Sequence, residues 1–202
     1  MEAFTKMTAK AVPIDIANCD TDQIIPARFL RRARWDLQDK TFLFHDLRFD
    51  ADGSSKGFVF DDPGHAGARI IVADKNWGCG SSRENAVTAL QANDIRAVIA
   101  PSIADIHYNN CTKRGVVPVE LPVDVVAAMR EHLHASPGAE ITVDLETQTV
   151  TGPDGATHGF EIGAYDRHRM LNGLDEIAYT LEFDDAISAF ENQRRQTADW
   201  LY

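Results

Sequence analysis

The run Gly78-Cys79-Gly80-Ser81-Ser82-Arg83-Glu84-Asn85 puts two glycines, two hydroxyls and a guanidinium within eight residues. Such a set can bind an anion. The glycines allow a tight turn that gathers backbone amides, the hydroxyls donate, and Arg83 offers a planar fork able to grip a carboxylate through two parallel hydrogen bonds. Ser81 and Glu84 also have the S-x-x-E spacing of a capping box, in which the hydroxyl takes a first-turn amide and the carboxylate reaches back. The spacing therefore predicts a helix that begins near Ser81. Its unpaired amides and macrodipole would add to the attraction for a carboxylate or phosphate. The alternative is that Ser81 only caps a helix and Arg83 is a solvated surface residue.

Three better-known patterns fail on the same residues. A Walker loop needs Lys followed by Ser or Thr after its second Gly, and no Lys lies between Gly78 and Leu90. A dinucleotide fingerprint needs a third small residue where Arg83 stands. A hydrolase nucleophile elbow needs Gly two places after its Ser, so a Ser-His hydrolase using His107 near Asp105 has little support.

The elements that would position the run are a strand over Ala68 to Ala73, a helix over Ala86 to Leu90 and a second strand from Ile95 to Ala100. A parallel crossover of this kind places the turn at the carboxyl end of a strand, where open α/β sheets bind ligands. A helix over Ile103 to Tyr108 and a strand over Val116 to Leu121 complete the unit. Val126, Met129 and Leu133 then recur at helical spacing between Pro122 and Pro137-Gly138. Ile141, Val143 and Leu145 alternate with polar residues, and Phe160 and Ile162 do so after the turn Pro153-Asp154-Gly155, which predicts a β-hairpin. Two tail helices, about Asp166 to Gly173 and Asp184 to Arg195, are expected to seal the core with their apolar residues. Upstream, a strand from Val12 leads into a polar turn at Asn18 to Asp22, and Pro26 bars its continuation. Residues 36 to 67 show no sustained period, with short segments at Phe42 to Leu47 and Phe58 to Phe60; they read as a lid or as a plain surface excursion. The expectation is a single α/β domain over residues 1–202, with an irregular region about 28–67 and a hairpin plus helices about 139–202.

At 202 residues, with 44% hydrophobic and 25% charged residues, the chain can bury a sizeable core. Lys plus Arg total 20 against 31 Asp plus Glu, a net charge of -11, which argues against nucleic acid or an anionic membrane as partner. Arg28, Arg31, Arg32 and Arg34 invert that field locally and could focus a small anion into a cleft; a solvated helix end or an interface with another chain would look the same. No run approaches the ~18 apolar residues of a membrane span and the amino terminus has no leader pattern, so a cytoplasmic location is expected. Cys19, Cys79 and Cys111 match neither a disulfide framework nor a zinc or iron-sulfur pattern, so no metal or cofactor is expected in this chain. The sequon Asn110-Cys111-Thr112 is incidental in a cytosolic chain.

Asp20-Thr21-Asp22-Gln23-Ile24-Ile25-Pro26, the run from Gly78 to Glu84, Ile95 to Ser102, Asn109-Asn110-Cys111, Gly115 to Val119 and Leu171 to Ala178 together resemble, in order and spacing, the small subunit of bacterial 3-isopropylmalate dehydratase. The resemblance implies a swivelling β/β/α domain of the aconitase superfamily, docking on a large dehydratase subunit that bears a [4Fe-4S] cluster. It implies a hydro-lyase that isomerises 2-isopropylmalate to 3-isopropylmalate in leucine synthesis, acting on a small hydroxy-dicarboxylate. By motif, Ser81 matches the catalytic base, Ser82 and Arg83 the carboxylate holders, and Asp22 an active-site acid. Phe29-Leu30-Arg31-Arg32 is similar to the loop that chooses substrate, with Leu30 and Arg31 in substrate contact. Where many members read Glu-His-Ala-Pro-Trp-Ala-Leu, this chain has Glu84-Asn85-Ala86-Val87-Thr88-Ala89-Leu90. A paralogue for a methylmalate, dimethylmalate or homoaconitate type of diacid therefore stands beside the first reading, as does a non-catalytic anion-binding subunit.

Overall fold

The computed structural model describes residues 1–30, 39–198 and 200. Its organising strand is β1 (Lys6–Ile14), which pairs in two senses. The second half runs parallel to β2 (Ile70–Ala73), with Ala11 opposite Ile70 and Ile14 opposite Ala73. The first half runs antiparallel to β5 (Glu140–Asp144), with Lys6 opposite Asp144 and Lys10 opposite Glu140. β3 (Ala97–Ala100) and β4 (Val117–Glu120) extend the parallel side, while β6 (Thr149–Thr151) and β7 (Thr157–Gly159) extend the antiparallel side. The sheet has the order β4-β3-β2-β1-β5-β6-β7.

Parallel strands covered on both faces read as unbroken apolar runs, and β2 and β3 are buried throughout. Their side chains alternate between two cores. Ile71, Ala73, Val98 and Ala100 face a cluster built with α3 (Glu84–Ala92) and with Cys111 of α4 (Asp105–Arg114). Ile70, Val72, Ala97 and Ile99 face a second cluster with Val126, Met129 and Leu133 of α5 (Val123–Ala135). Each large aliphatic side chain so buried stabilises the fold by about 1.5–3 kcal/mol.

The irregular stretch forecast after residue 36 holds α2 (His45–Arg48) and two single 3-10 turns, Val59–Asp61 and Pro63–His65. Part of it is surface, residues 50–57 being exposed, and part of it is core. Leu43 and Phe44 are fully buried, and Phe44 meets Phe58, Phe60 and Trp77 edge-on at centroid distances of 5.5, 5.5 and 6.1 Å. Aromatic packing without a backbone period is invisible to a periodicity argument, and it closes one face of the sheet.

Several expectations need correction. β1 begins at Lys6, well before Val12, because its antiparallel half has an exposed face occupied by Lys6, Thr8 and Lys10 and so lacks a continuous apolar signal. The hairpin is a three-stranded meander: β6 was hidden by threonines flanking the single buried Val150, and Phe160 and Ile162 bury just beyond β7 instead of forming a strand. In the tail, α6 (Ala164–Asn172) gives Met170 to the core and α7 (Glu176–Leu181), not forecast, is capped by Asp175 accepting from the Ala178 amide at 2.7 Å. Contrary to expectation, α8 (Asp184–Thr197) has no buried residue, and Phe190 is 59% exposed. A chain ended after Phe183 should therefore unfold at the same urea midpoint as the full chain, whereas Ile71→Ala should lose about 2–5 kcal/mol in the same titration.

Candidate active site

The loops that follow β1, β2 and β3 are stitched together by backbone bonds. The Gly78 amide donates to the Cys19 carbonyl at 2.8 Å and the Thr21 amide to the Cys79 carbonyl at 2.9 Å, which makes an isolated parallel bridge between Asp20 and Cys79. On the other side the Trp77 amide donates to Ser102 at 3.0 Å, and the Ala104 amide to Trp77 at 2.9 Å. The middle loop thus continues the parallel pairing beyond the strand ends. A cleft of about 220 Å³ opens there, lined by Thr21, Gly78, residues 80–83 and the start of α4 at 104–107.

The helix does not begin near Ser81. α3 starts at Glu84, with Arg83 in the cap position and no side-chain cap. Glu84 pairs with Arg114 and does not reach back. The reason is tertiary: the Ser81 carbonyl accepts from the Thr21 hydroxyl at 2.9 Å, and Gly80 sits at φ +91°, so the run stays extended across the loop before it can coil. The capping box in this site belongs to α1 (Thr21–Ile24). Asp20 accepts from the Gln23 amide at 2.8 Å, and the Gln23 side chain accepts from the Asp20 amide at 3.0 Å. Asp20 and Gln23 carry that signal in the sequence, with Asp in place of Ser or Thr.

Ser81 and Ser82 are exposed in the cleft, and the Ser81 hydroxyl has no protein partner among the described residues. Arg83 directs both terminal nitrogens at Asp22, Nη2 to Oδ2 at 2.8 Å and Nη1 to the second oxygen. The guanidinium is largely covered and the carboxylate is 55% exposed. That hydrogen bonding holds the Asp22 carboxyl below its ordinary range, with the Ala27 amide, at 3.2 Å, adding to it. The structure therefore shows the fork of Arg83 closed on a carboxylate, this chain's own. Leu30 is half-buried against the aromatic core and does not line the cleft, and Arg31, with Arg32 and Arg34, lies outside the described residues. Arg28 is engaged by Asp46, at 2.8 Å through Nη1, and sits over the Phe29 ring.

Sequence reasoning gave His107 only a discarded role. It lines the cleft, is 1% exposed, and accepts from the Trp77 indole N–H at Nε2 over 3.2 Å. No carboxylate orients it. Burial pushes its pKa down to about 4, so the ring is neutral near pH 7 and its proton sits on Nδ1. Nδ1 is itself closed to solvent and has no hydrogen-bond partner among the described residues. Gly78 is required beside it: φ is +70°, and a Cβ there would lie 2.3–2.6 Å from the His107 ring and Cβ. Trp77 and His107 are thirty positions apart, and no local pattern joins them.

Among the described residues no group of three or more His, Cys, Asp or Glu is arranged to hold a metal. Cys19 and Cys111 are buried, which raises their thiol pKa values, that of Cys19 to about 12, and disfavours the thiolate a metal would need. The residues present do not fit an iron-sulfur cluster held by this chain. No helix among the described residues is long and apolar enough to cross a membrane.

The family model described as the aconitase C-terminal domain matches residues 1–124. Two further models, LeuD_N and the C-terminal domain of the 3-isopropylmalate dehydratase small subunit, match residues 127–164 and 176–202. Proteins named 3-isopropylmalate dehydratase small subunit from Paramagnetospirillum magneticum and Dinoroseobacter shibae are 44% and 45% identical over 202 residues, the whole of each chain. The chain belongs to the 3-isopropylmalate dehydratase small-subunit family. A crystal structure of 3-isopropylmalate dehydratase from Methanocaldococcus jannaschii superposes with a TM-score of 0.63 at 25% identity, covering 92% of this chain and 99% of that one. The curled sheet is accordingly the swivelling β/β/α fold of the aconitase small-domain type. Within it Val87 and Thr88 are buried on α3 and Asn85 is half-buried.

Gly78→Ala should cost about 3 kcal/mol or more, since it adds left-handed strain to a steric clash with a ring that cannot swing away; urea denaturation reads the loss. The His107 pKa is depressed in the folded state, so the unfolded chain binds the proton first as pH falls below 6.5, and stability declines from there towards pH 4. That single group should remove about 2 kcal/mol between pH 7 and pH 5, and His107→Phe should flatten this part of the stability-pH curve.

Proposed function

We propose that this chain is the small subunit of a heteromeric 3-isopropylmalate dehydratase, a hydro-lyase that interconverts 2-isopropylmalate and 3-isopropylmalate through the unsaturated acid in cytoplasmic leucine biosynthesis. One observation carries the reading: an exposed serine, a second hydroxyl and an arginine already bound to a carboxylate meet in a cleft at the strand ends of a member of this family. The large subunit holds the [4Fe-4S] cluster, for which this chain has no ligand set among the described residues. The whole chain acts as one swivelling domain that closes the partner's site.

In this reading the substrate carboxylate exchanges with Asp22 on the Arg83 fork, an exchange helped by the exposure of Asp22, which keeps their ion pair weak. Ser82 adds a hydroxyl donor. Ser81 takes the proton from the carbon next to that carboxylate. A serine hydroxyl is a poor base near neutral pH, so its oxygen anion needs electrostatic support. Because α3 begins only at Glu84, that support comes from the Arg83 guanidinium and the partner chain instead of helix amides. Asp22, once released, is an acid-base group on the rim, and Leu30 and Arg31 belong to the segment that chooses the substrate's alkyl group.

The test is coexpression with the large subunit and purification without oxygen. Ser81→Ala should lower turnover by on the order of 10² to 10⁴ while the two chains still elute together; turnover near that of the wild type would remove Ser81 as the base. The residues Asn85, Val87 and Thr88, where many family members have His, Pro and Trp, favour a second reading, a related hydroxy-diacid. A complex that dehydrates a methylmalate or dimethylmalate but not isopropylmalate would establish it.

A further inference from the structure

We propose that Ile106 is a specificity-determining residue that packs against the alkyl substituent of the hydroxy-dicarboxylate. The proposal rests on the reading of the cleft as the dehydratase site and deepens it by naming the surface that the alkyl group meets. Apart from Thr21, two segments supply the lining, the run 78–83 and the first turn of α4. The run brings hydroxyls and a guanidinium, which suit oxygen atoms. A substrate with a branched alkyl group needs an apolar wall as well. Among the described residues that line the cleft only Ala104 and Ile106 have wholly aliphatic side chains, and Leu30 is not one of the lining residues. Ile106 is 52% exposed, so its surface is open to a ligand.

Packing gives no reason for an isoleucine at this position. The buried residues of α4 are His107, Cys111 and Thr112. Ile106 shares a face with Asn109, Asn110 and Lys113, three, four and seven positions on, none of which is buried. A lone exposed apolar side chain is common on protein surfaces and by itself means nothing. What distinguishes this one is its place. The Ala104 amide donates to the Trp77 carbonyl at 2.9 Å and the Ile103 amide to the Glu120 carboxylate at 2.7 Å, which ties the start of α4 to the loop that carries Ser81 and to β4. The His107 ring, packed where a Cβ on Gly78 would stand, holds the helix against that loop. Ile106 is therefore presented on a fixed frame with Ser81 and Arg83. Charge acts in the same direction. Asp105 is exposed beside Ile106, and Arg83 is the one cation among the described lining residues at neutral pH. An uncharged alkyl group is accepted at this wall, whereas a further carboxylate in its place would meet Asp105 without a counter-charge.

The test uses the reconstituted complex and two substrates that differ only in the alkyl group, 2-isopropylmalate and 2-methylmalate. Ile106→Ala removes the wall at an exposed position, so the fold should be kept. Its kcat/KM for 2-isopropylmalate should fall about tenfold, while that for 2-methylmalate changes less than about threefold, because the smaller group has less apolar surface to lose. Ile106→Val keeps the branch and should stay within about threefold of the wild type on both. An equal loss on both substrates in Ile106→Ala, or an unchanged ratio between them, would overturn the proposal. So would separate elution of the two chains, which would make Ile106 a contact with the large subunit. A wild-type complex without activity on 2-isopropylmalate removes the functional reading and this proposal with it, whereas an active complex whose ratio does not respond to Ile106→Ala removes the role of Ile106 alone.

Discussion

The bond from the Gly78 amide to the Cys19 carbonyl, with its neighbour from Thr21 to Cys79, decides how the rest of the cleft is built. Past the ends of β1 and β2 the chain would ordinarily diverge into solvent. These bonds, and those from Trp77 to the loop after β3, keep three strand ends in lateral contact for several more residues. Backbone pairing demands close approach, and Gly78 meets that demand by bringing its α-carbon against the His107 ring where no Cβ fits. The presentation of Ser81, the delayed start of α3 and the position of α4 follow from this arrangement.

Electrostatics then gives the cleft its character. In a chain of net charge -11, Arg83 is the largely covered cation among the residues that line it, and it is satisfied by Asp22 of α1. The pair ties α1 to the residue that precedes α3, yet the carboxylate half remains in contact with water. Such a pair contributes little to stability and leaves the fork exchangeable. An arginine buried with an equally buried acid would have been costly to open, because the uncompensated charge would stay behind.

The sheet is divided in the same functional sense. The parallel half, covered on both faces, is rigid and carries the loops of the cleft at its carboxyl edge. α5 packs against β1, β2 and β3, and the antiparallel half extends the sheet on the other side of β1. β1 belongs to both, pairing with β5 up to Lys10 and with β2 from Ala11.

The parallel unit was legible from residues 68 to 121 because strands buried on two faces and a helix between them leave an unmistakable local apolar pattern, and the anion-binding chemistry of Ser81, Ser82 and Arg83 was legible because residue type alone sets what a hydroxyl or guanidinium can do. Weakly apolar strands such as Lys6 to Lys10 and Thr149 to Thr151 were not, since a strand with one solvated face and threonines on its flanks looks like a loop. Position within the site was beyond local pattern altogether. The S-x-x-E spacing at Ser81 was a sound capping signal that a hydroxyl sixty positions away, on Thr21, overrode by holding the Ser81 carbonyl outside the helix. The pairing of Arg83 with Asp22 and of Trp77 with His107 joins residues from different loops. Sequence determined which groups were present; tertiary structure decided which of them meet, because hydrogen bonds act over about 3 Å in space and are indifferent to separation along the chain.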